Sequence, residues 1–281
     1  MAKKAAIITV HGMGRTEPNY ADDLREELKA RLGSKFQKLH FGKIFYQHIL
    51  QPNEDRVWES VRARVGWDRL RQFLLFGFAD AAGLESSKDG QNSDYWLAQI
   101  EIAKELFRAR EAMKGDGPVV ILAQSLGGQV VSCFFWDANR KKPGAGIWSD
   151  IDAAAKKITN SGVLTDEEVG FLRGSHLKVL FTTGCNIPIF VAAHAKDKIL
   201  PIRPNDGFRW VNYYDRQDVL GWPLTDLSDE YRKVVVDKAI NAGGGVFDWI
   251  VKSWNPMSHT QYWADDDVLD PLEAELRAML A

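Results

Sequence analysis

Hydrophobic positions in this chain fall into short, nearly unbroken runs, separated by stretches in which apolar residues recur every three or four positions. The runs at 5–10, 119–123, 178–183 and 208–214 are too short for buried helices and mostly rich in β-branched residues. They predict strands buried on both faces. A further strand is predicted at 38–46. The intervening segments carry the helical period: Leu24, Leu28 and Leu32 fill one face of a predicted helix at 20–32. Two helical stretches are expected between 53 and 84, a polar loop at 85–93 and a helix at 95–113. Another helix follows residue 125 and reaches about 139, and a Pro/Gly loop at 142–146 leads into two short helices that end by Gly174. A closing helix is predicted at 271–280, with Asp270 as its N-cap. Strands alternating with helices predict an α/β fold, a mostly parallel sheet with helices on both faces.

The run at 119–123 ends abruptly in Gln124-Ser125-Leu126-Gly127-Gly128. A serine at the apex of a tight strand-to-helix turn is forced into a strained backbone conformation, so the residues two positions away on either side must be small. Here they are Ala123 and Gly127. Such a turn exposes the hydroxyl above the sheet and aims the next amide, that of Leu126, at a developing oxyanion. The first predicted strand runs into His11-Gly12-Met13-Gly14, where glycine permits close backbone approach and Met13 is placed to offer a second N–H. A strand-to-helix loop with no ligand explains that glycine pair when it stands alone; beside Ser125 the catalytic reading is the better one.

A serine hydroxyl is a poor nucleophile near neutral pH and needs a base, which in turn needs an acceptor to fix its tautomer. The chain has six histidines. His40 and His48 lie in or just after a strand-like run, His176 precedes a strand at its wrong end, and His194 follows an apolar run. His259, in the turn-like stretch Ser258-His259-Thr260, is the expected base. The acid is expected at Asp218, a few residues past the 208–214 strand, with Asp215 as its rival; Asp215 sits where it could instead cap the turn. The chain order Ser125, Asp218, His259 goes with a nucleophile elbow.

On His11-Gly12-Met13-Gly14, Ala123-Gln124-Ser125-Leu126-Gly127-Gly128, Asp218 and Ser258-His259, the chain resembles the α/β-hydrolase superfamily, on its lipase- and esterase-like side. The resemblance implies a serine hydrolase that passes through a covalent acyl-enzyme. It implies a catalytic Ser125–His259–Asp218 triad with Met13 and Leu126 as backbone oxyanion donors. In it His11 is structural and bonds loop backbone; Gly12, Gly14, Gln124 and Gly127 belong to the supporting motifs. The expected substrate is a small-molecule carboxylic ester or thioester, and no cofactor or metal is expected. The same apparatus would serve an acyltransferase, and a non-catalytic binding or scaffolding protein on the same fold is the rival from another class.

Length and composition fit one such domain over 1–281, with 281 residues and 45% hydrophobic content. Residues 48–115 form a helical insertion before the elbow, which could serve as a lid or cap. Within it, Trp67 to Phe78 is aromatic and aliphatic, with Gly77 available as a hinge; it reads either as a wall over Ser125 or as a helix packing on the sheet. Trp222, Trp249 and Trp254 could add to a pocket wall, though core packing explains them equally well. A formal charge of −2 gives no electrostatic argument for nucleic acid. Arg62, Arg64, Arg69 and Arg71 read as the solvated face of one helix, and Asp265-Asp266-Asp267 cannot converge on one metal from regular structure. Cys133 and Cys185 suggest no disulfide or metal pattern. No secretory signal or transmembrane-length run is apparent, so a cytoplasmic protein without an integral membrane segment is expected.

Overall fold

The computed structural model describes residues 2–86, 88, 90–140, 144–242 and 262–281. Six strands form one all-parallel sheet: β1 (Ala5–Val10), β2 (Leu39–Ile44), β3 (Val119–Gln124), β4 (Leu177–Thr183), β5 (Arg209–Asp215) and β6 (Val235–Ile240). Their spatial order is β2-β1-β3-β4-β5-β6. Every residue of β1 is buried, which is why the run reads as continuously apolar rather than alternating.

Successive side chains of a strand point to opposite faces, and the two cores divide accordingly. Ala6, Ile8 and Val10 face one core; Ala5 and Ile7 face the other. Helices α1 (Asp22–Leu32) and α10 (Asp266–Met279) cover the second face with Leu24, Leu28, Leu32, Leu269, Leu272 and Leu276. The first face is covered by α4 (Asp94–Met113) and α5 (Leu126–Ala138), with α6 (Ile151–Ile158), α7 (Asp166–Leu172) and α9 (Asp229–Val234) contributing to the same core. Helices α2 (Gln47–Val61), α3 (Asp68–Ser86) and the short α8 (Ile187–Val191) complete the regular structure used below.

The chain leaves β1 toward β2 on one side and returns to β3 on the other. Loops after β1 and β3 therefore lead to helices on opposite faces, α1 and α5, and part to leave a crevice at the carboxyl ends of the two strands. In open parallel sheets this reversal point is where ligands bind. The two loops that meet it are His11–Gly14 and the turn at Ser125.

Several expectations change. Within the segment 48–115, α4 is a sheet-packing helix with Ile100, Ile102, Ala103 and Leu106 in the core, and α2 and α3 reach the same core through Leu50 and Leu84. Gly77 lies inside α3; a Cβ there would meet Met13 Sδ at 2.6 Å, so its bareness lets the His11–Gly14 loop pack against the helix. The arginines do not share a helix face, because α2 ends at Val61, Arg62 and Arg64 sit in a 3₁₀ turn, and α3 begins only at Asp68. Helix α10 starts one turn earlier than expected, capped by Asp265, whose carboxylate accepts the Asp267 N–H at 2.9 Å. Pro271 is carried inside α10 because Val268 and Leu269 before it and Leu272 after it all bury. Asp270 instead pairs with Arg31 at 2.6 Å, and Asp266 binds the same guanidinium. Strand β6 falls outside the predicted strands: half its side chains face solvent, Val236 among them, so no apolar run marks it.

Candidate active site

Ser125 has φ 52° and ψ −125°, a conformation that few non-glycine residues adopt. The turn is held on both sides, by Ser125 N–H on the Thr183 carbonyl at 2.9 Å and Gly128 N–H on the Ser125 carbonyl at 3.0 Å. Where an exposed hydroxyl is expected, the residue is fully buried, with the Gly12 loop packed against it, and its Oγ has no hydrogen-bond partner among the described residues. Strain and an unpaired buried hydroxyl both cost stability, and they cluster where a protein holds a group ready for a ligand.

Two glycines allow the elbow and the β1 loop to touch. A Cβ at Gly12 would meet Ser125 Cβ at 2.8 Å, and one at Gly127 would collide with the His11 carbonyl oxygen. The two loops singled out by the sequence are thus in backbone contact. Leu126 occupies the first position of α5, where an N–H has no acceptor within the helix.

The His11 ring is buried and stacked on Tyr46, with centroids 4.0 Å apart. Its Nε2 accepts the Tyr46 N–H at 3.2 Å, which leaves Nδ1–H to donate to the Gly12 carbonyl at 2.8 Å. Burial pushes its pKa down to about 4. With both nitrogens occupied and the charged form disfavoured, His11 braces the loop and is not available as a base. Tyr46 Oη also reaches the His11 carbonyl at 3.1 Å.

The loop has a second brace that does not show in the sequence pattern. Asp80 of α3 accepts the Gly14 N–H at 2.7 Å and one Gln47 amide N–H at 2.9 Å. The same Gln47 nitrogen lies 3.2 Å from Glu54, so two carboxyls meet on one amide. Both acids are buried. Burial and the neighbouring Asp80 carboxyl push Glu54 up to about 9, and burial raises Asp80 as well. The pair therefore holds a proton near neutral pH. A lone acid in the apolar stretch around Asp80 is the one signal the sequence offers, since such a residue is rarely buried without a polar task.

The sign of the pH effect follows. Between about 4.5, the ordinary Glu54 value, and about 9, the folded chain binds a proton that the unfolded chain has released. This contribution to stability is complete below the lower value and is lost as pH rises through that window. The limiting slope is ~1.4 kcal/mol per pH unit for one proton. Glu54→Gln is expected to flatten the decline, which urea midpoints at pH 6, 7.5 and 9 would measure. Parallel profiles for the two proteins would refute the assignment.

Asp215 ends β5 and Asp218 follows it; both are buried, each accepts the N–H two residues on, and Asp218 alone also accepts a side-chain hydroxyl. Asp215 Oδ1 accepts the Gln217 N–H at 2.8 Å, capping the turn. Asp218 Oδ1 accepts the Leu220 N–H at 2.9 Å, and its Oδ2 accepts the Tyr262 hydroxyl at 2.8 Å. Tyr262 Oη also accepts the Asp215 N–H at 2.9 Å, so one phenol locks both acids in place. His259 lies outside the described residues, as do Trp249, Trp254 and Ser258. Of the other histidines, His40 pairs with Glu105 at 2.8 Å, His176 stacks on Phe171, and His48 and His194 are exposed.

Two clefts adjoin the loop, and Met13 lines both. One, of about 610 Å³, has a mixed polar and apolar lining and is bordered by Gly12, Arg15, Glu17, Gln124 and Trp263. The other, of about 390 Å³, is apolar and lies between α3 and α8. Its wall includes Phe73, Leu74 and Phe78, so part of α3 does face a cavity beside Met13. No helix among the described residues is long and apolar enough to cross a membrane. Compared with known proteins, the chain matches no family model and no curated sequence.

Proposed function

We propose that this chain is a serine hydrolase of the α/β-hydrolase type that cleaves a carboxylic ester or thioester through an acyl-enzyme. The observation that carries the reading is the buried, strained, unpaired Ser125, in contact with the Gly12 loop at the reversal point of a parallel sheet. A hydroxyl held there is costly to the fold and useful to a nucleophile.

In the proposed reaction His259 takes the Ser125 Oγ proton as the oxygen attacks the acyl carbonyl. The carbonyl electrons move onto oxygen, and the Met13 and Leu126 N–H groups hold the resulting oxyanion. Asp80 fixes Gly14 and the brace of His11 fixes Gly12, so the Met13 N–H between them is set before substrate arrives. Collapse of the intermediate expels the leaving group, which takes its proton from His259. Water then repeats the sequence on the acyl-enzyme and releases the acid. Asp218, held by Tyr262 and Leu220, orients and stabilises the imidazolium. Only Thr260 and Gln261 lie between His259 and Tyr262 in the chain, a reach of at most ~11 Å.

The test is hydrolysis of a p-nitrophenyl ester series, from acetate to palmitate, by wild type and Ser125→Ala. Turnover that falls by roughly 10³-fold or more in the variant is expected. Equal turnover by the two proteins would refute the proposal.

A further inference from the structure

Glu54 is a buried acid to which the proposed reaction assigns no part. It lies on α2 where Asp80 comes across from α3, and both carboxyls meet the Gln47 amide. Its Oε1 is buried and accepts no hydrogen bond from a described residue. Neither carboxyl is paired with a lysine or arginine among the described residues. Besides each other, the titratable groups that act on the pair are Asp55 of α2 and Tyr46, whose phenol both carboxyls push upward. Two buried acids that meet without a cation cannot both ionise cheaply. The arrangement is satisfied when Glu54 keeps its proton and donates it to the Asp80 carboxylate, which also accepts from Gly14 and Gln47.

That proton supports a backbone geometry. The Gly12 carbonyl and the Met13 N–H belong to one planar peptide group, whose oxygen takes His11 Nδ1–H at 2.8 Å and Tyr46 Oη at 3.3 Å. The next peptide group is held through the Gly14 N–H, by Asp80 at 2.7 Å. Gly14 has φ 87°, which glycine adopts without strain, so these bonds and not its own sterics steer the chain here. Ionisation of Glu54 sets two carboxylates against each other and drives Asp80 off the Gly14 N–H. The Met13 N–H then loses one of its two supports. A second negative charge beside the loop also opposes an oxyanion.

Resting on the hydrolase reading, we infer that Glu54 is a positioning residue for the Met13 N–H. As an acid it keeps Asp80 on the Gly14 N–H; once ionised it releases the His11–Gly14 loop and slows turnover. The alkaline limit of activity is set at this pair, because a histidine base loses activity only on the acid side. The effect falls on kcat and spares KM, since the N–H acts on the oxyanion of the transition state.

The experiment measures kcat and KM for p-nitrophenyl butyrate from pH 6 to 10.5, on wild type and Glu54→Gln, with Ser125→Ala as the blank at each pH. Burial and Asp80 place the Glu54 pKa at about 9, so wild-type kcat is expected to fall about tenfold between pH 8 and 10 with KM level. Glu54→Gln cannot ionise, and its kcat at pH 10 is expected within about twofold of its own value at pH 8. Amide exchange in the peptide 11–16, corrected for the intrinsic rate, follows the brace apart from chemistry: wild type loses protection over the same range and Glu54→Gln keeps it. An alkaline fall of equal size in both proteins, no fall in wild type, a fall carried by KM, or equal loss of protection would each overturn the inference. Should Glu54→Gln fail to fold, Asp80→Asn decides, because an amide there removes the repulsion and the fall between pH 8 and 10 is expected to vanish. Ser125-dependent turnover with one pH profile for both proteins leaves the hydrolase reading standing and removes this one. Absence of Ser125-dependent turnover removes the hydrolase reading and this one with it.

Discussion

Turnover by His259→Ala is expected to fall by about 10³- to 10⁴-fold, with far-UV circular dichroism unchanged. No described histidine can replace it. His11 has both nitrogens engaged and a pKa lowered to about 4, and His40 is tied to Glu105. His48 and His194 are exposed, and His176 sits before β4, at the opposite end of the parallel strands from Ser125. A companion pair sharpens the result. Asp218→Asn is expected to lose activity on a similar scale, because an amide at that position favours the wrong imidazole tautomer. Asp215→Asn keeps an oxygen for the Gln217 N–H and should retain most activity. Near-wild-type turnover in His259→Ala, or a larger loss in Asp215→Asn than in Asp218→Asn, would contradict the proposed triad.

Gly127→Val is expected to be the most damaging single substitution outside the triad. Its Cβ would collide with the His11 carbonyl oxygen and lie 3.0 Å from the Val10 carbonyl oxygen. Both are rigid backbone, so the strain cannot relax by a rotamer change. Helix α5 must then shift away from β1 and separate Ser125 from the Gly12 loop. A loss of roughly 3 kcal/mol or more is expected, read from guanidinium unfolding, together with loss of ester turnover. Gly170→Ala is the matched control: it is helical, in α7, and a Cβ added there would have nothing within 4 Å. It should be neutral or raise stability by up to ~1 kcal/mol. Similar stability for the two variants would show that the elbow and the loop do not need their close approach.

The contrast between these glycines explains how much is legible in the sequence. Ser125 and Gly127 announce themselves because a strained turn admits few residue types, so local sequence carries the information. The interior strands are readable for a similar reason, since β1, β3, β4 and β5 bury apolar side chains on both faces. Edge strand β6 contributes only Val235 and Ile240 to the two cores, and Val236 points to solvent. Asp80, Glu54 and Gln47 brace the His11–Gly14 loop from α2 and α3, across a tertiary contact with no fixed spacing. Tyr262 is the same kind of residue: its role depends on its delivery, just ahead of α10, next to Asp215 and Asp218. The sequence misplaces the start of α10 because Pro271 is a strong local signal that burial of Val268 and Leu269 overrides. The choice between Asp215 and Asp218 is open in the sequence, and of the two Asp218 alone also accepts a side-chain hydroxyl.

The central claim is that Ser125 is a nucleophile, and fluorophosphonate labelling tests it most directly. Wild type and Ser125→Ala are treated with the reagent and analysed as intact proteins, then as peptides, by mass spectrometry. One adduct on the peptide containing Ser125, absent from the variant, is the predicted result. No adduct on wild type, or an adduct that persists in Ser125→Ala, would contradict it.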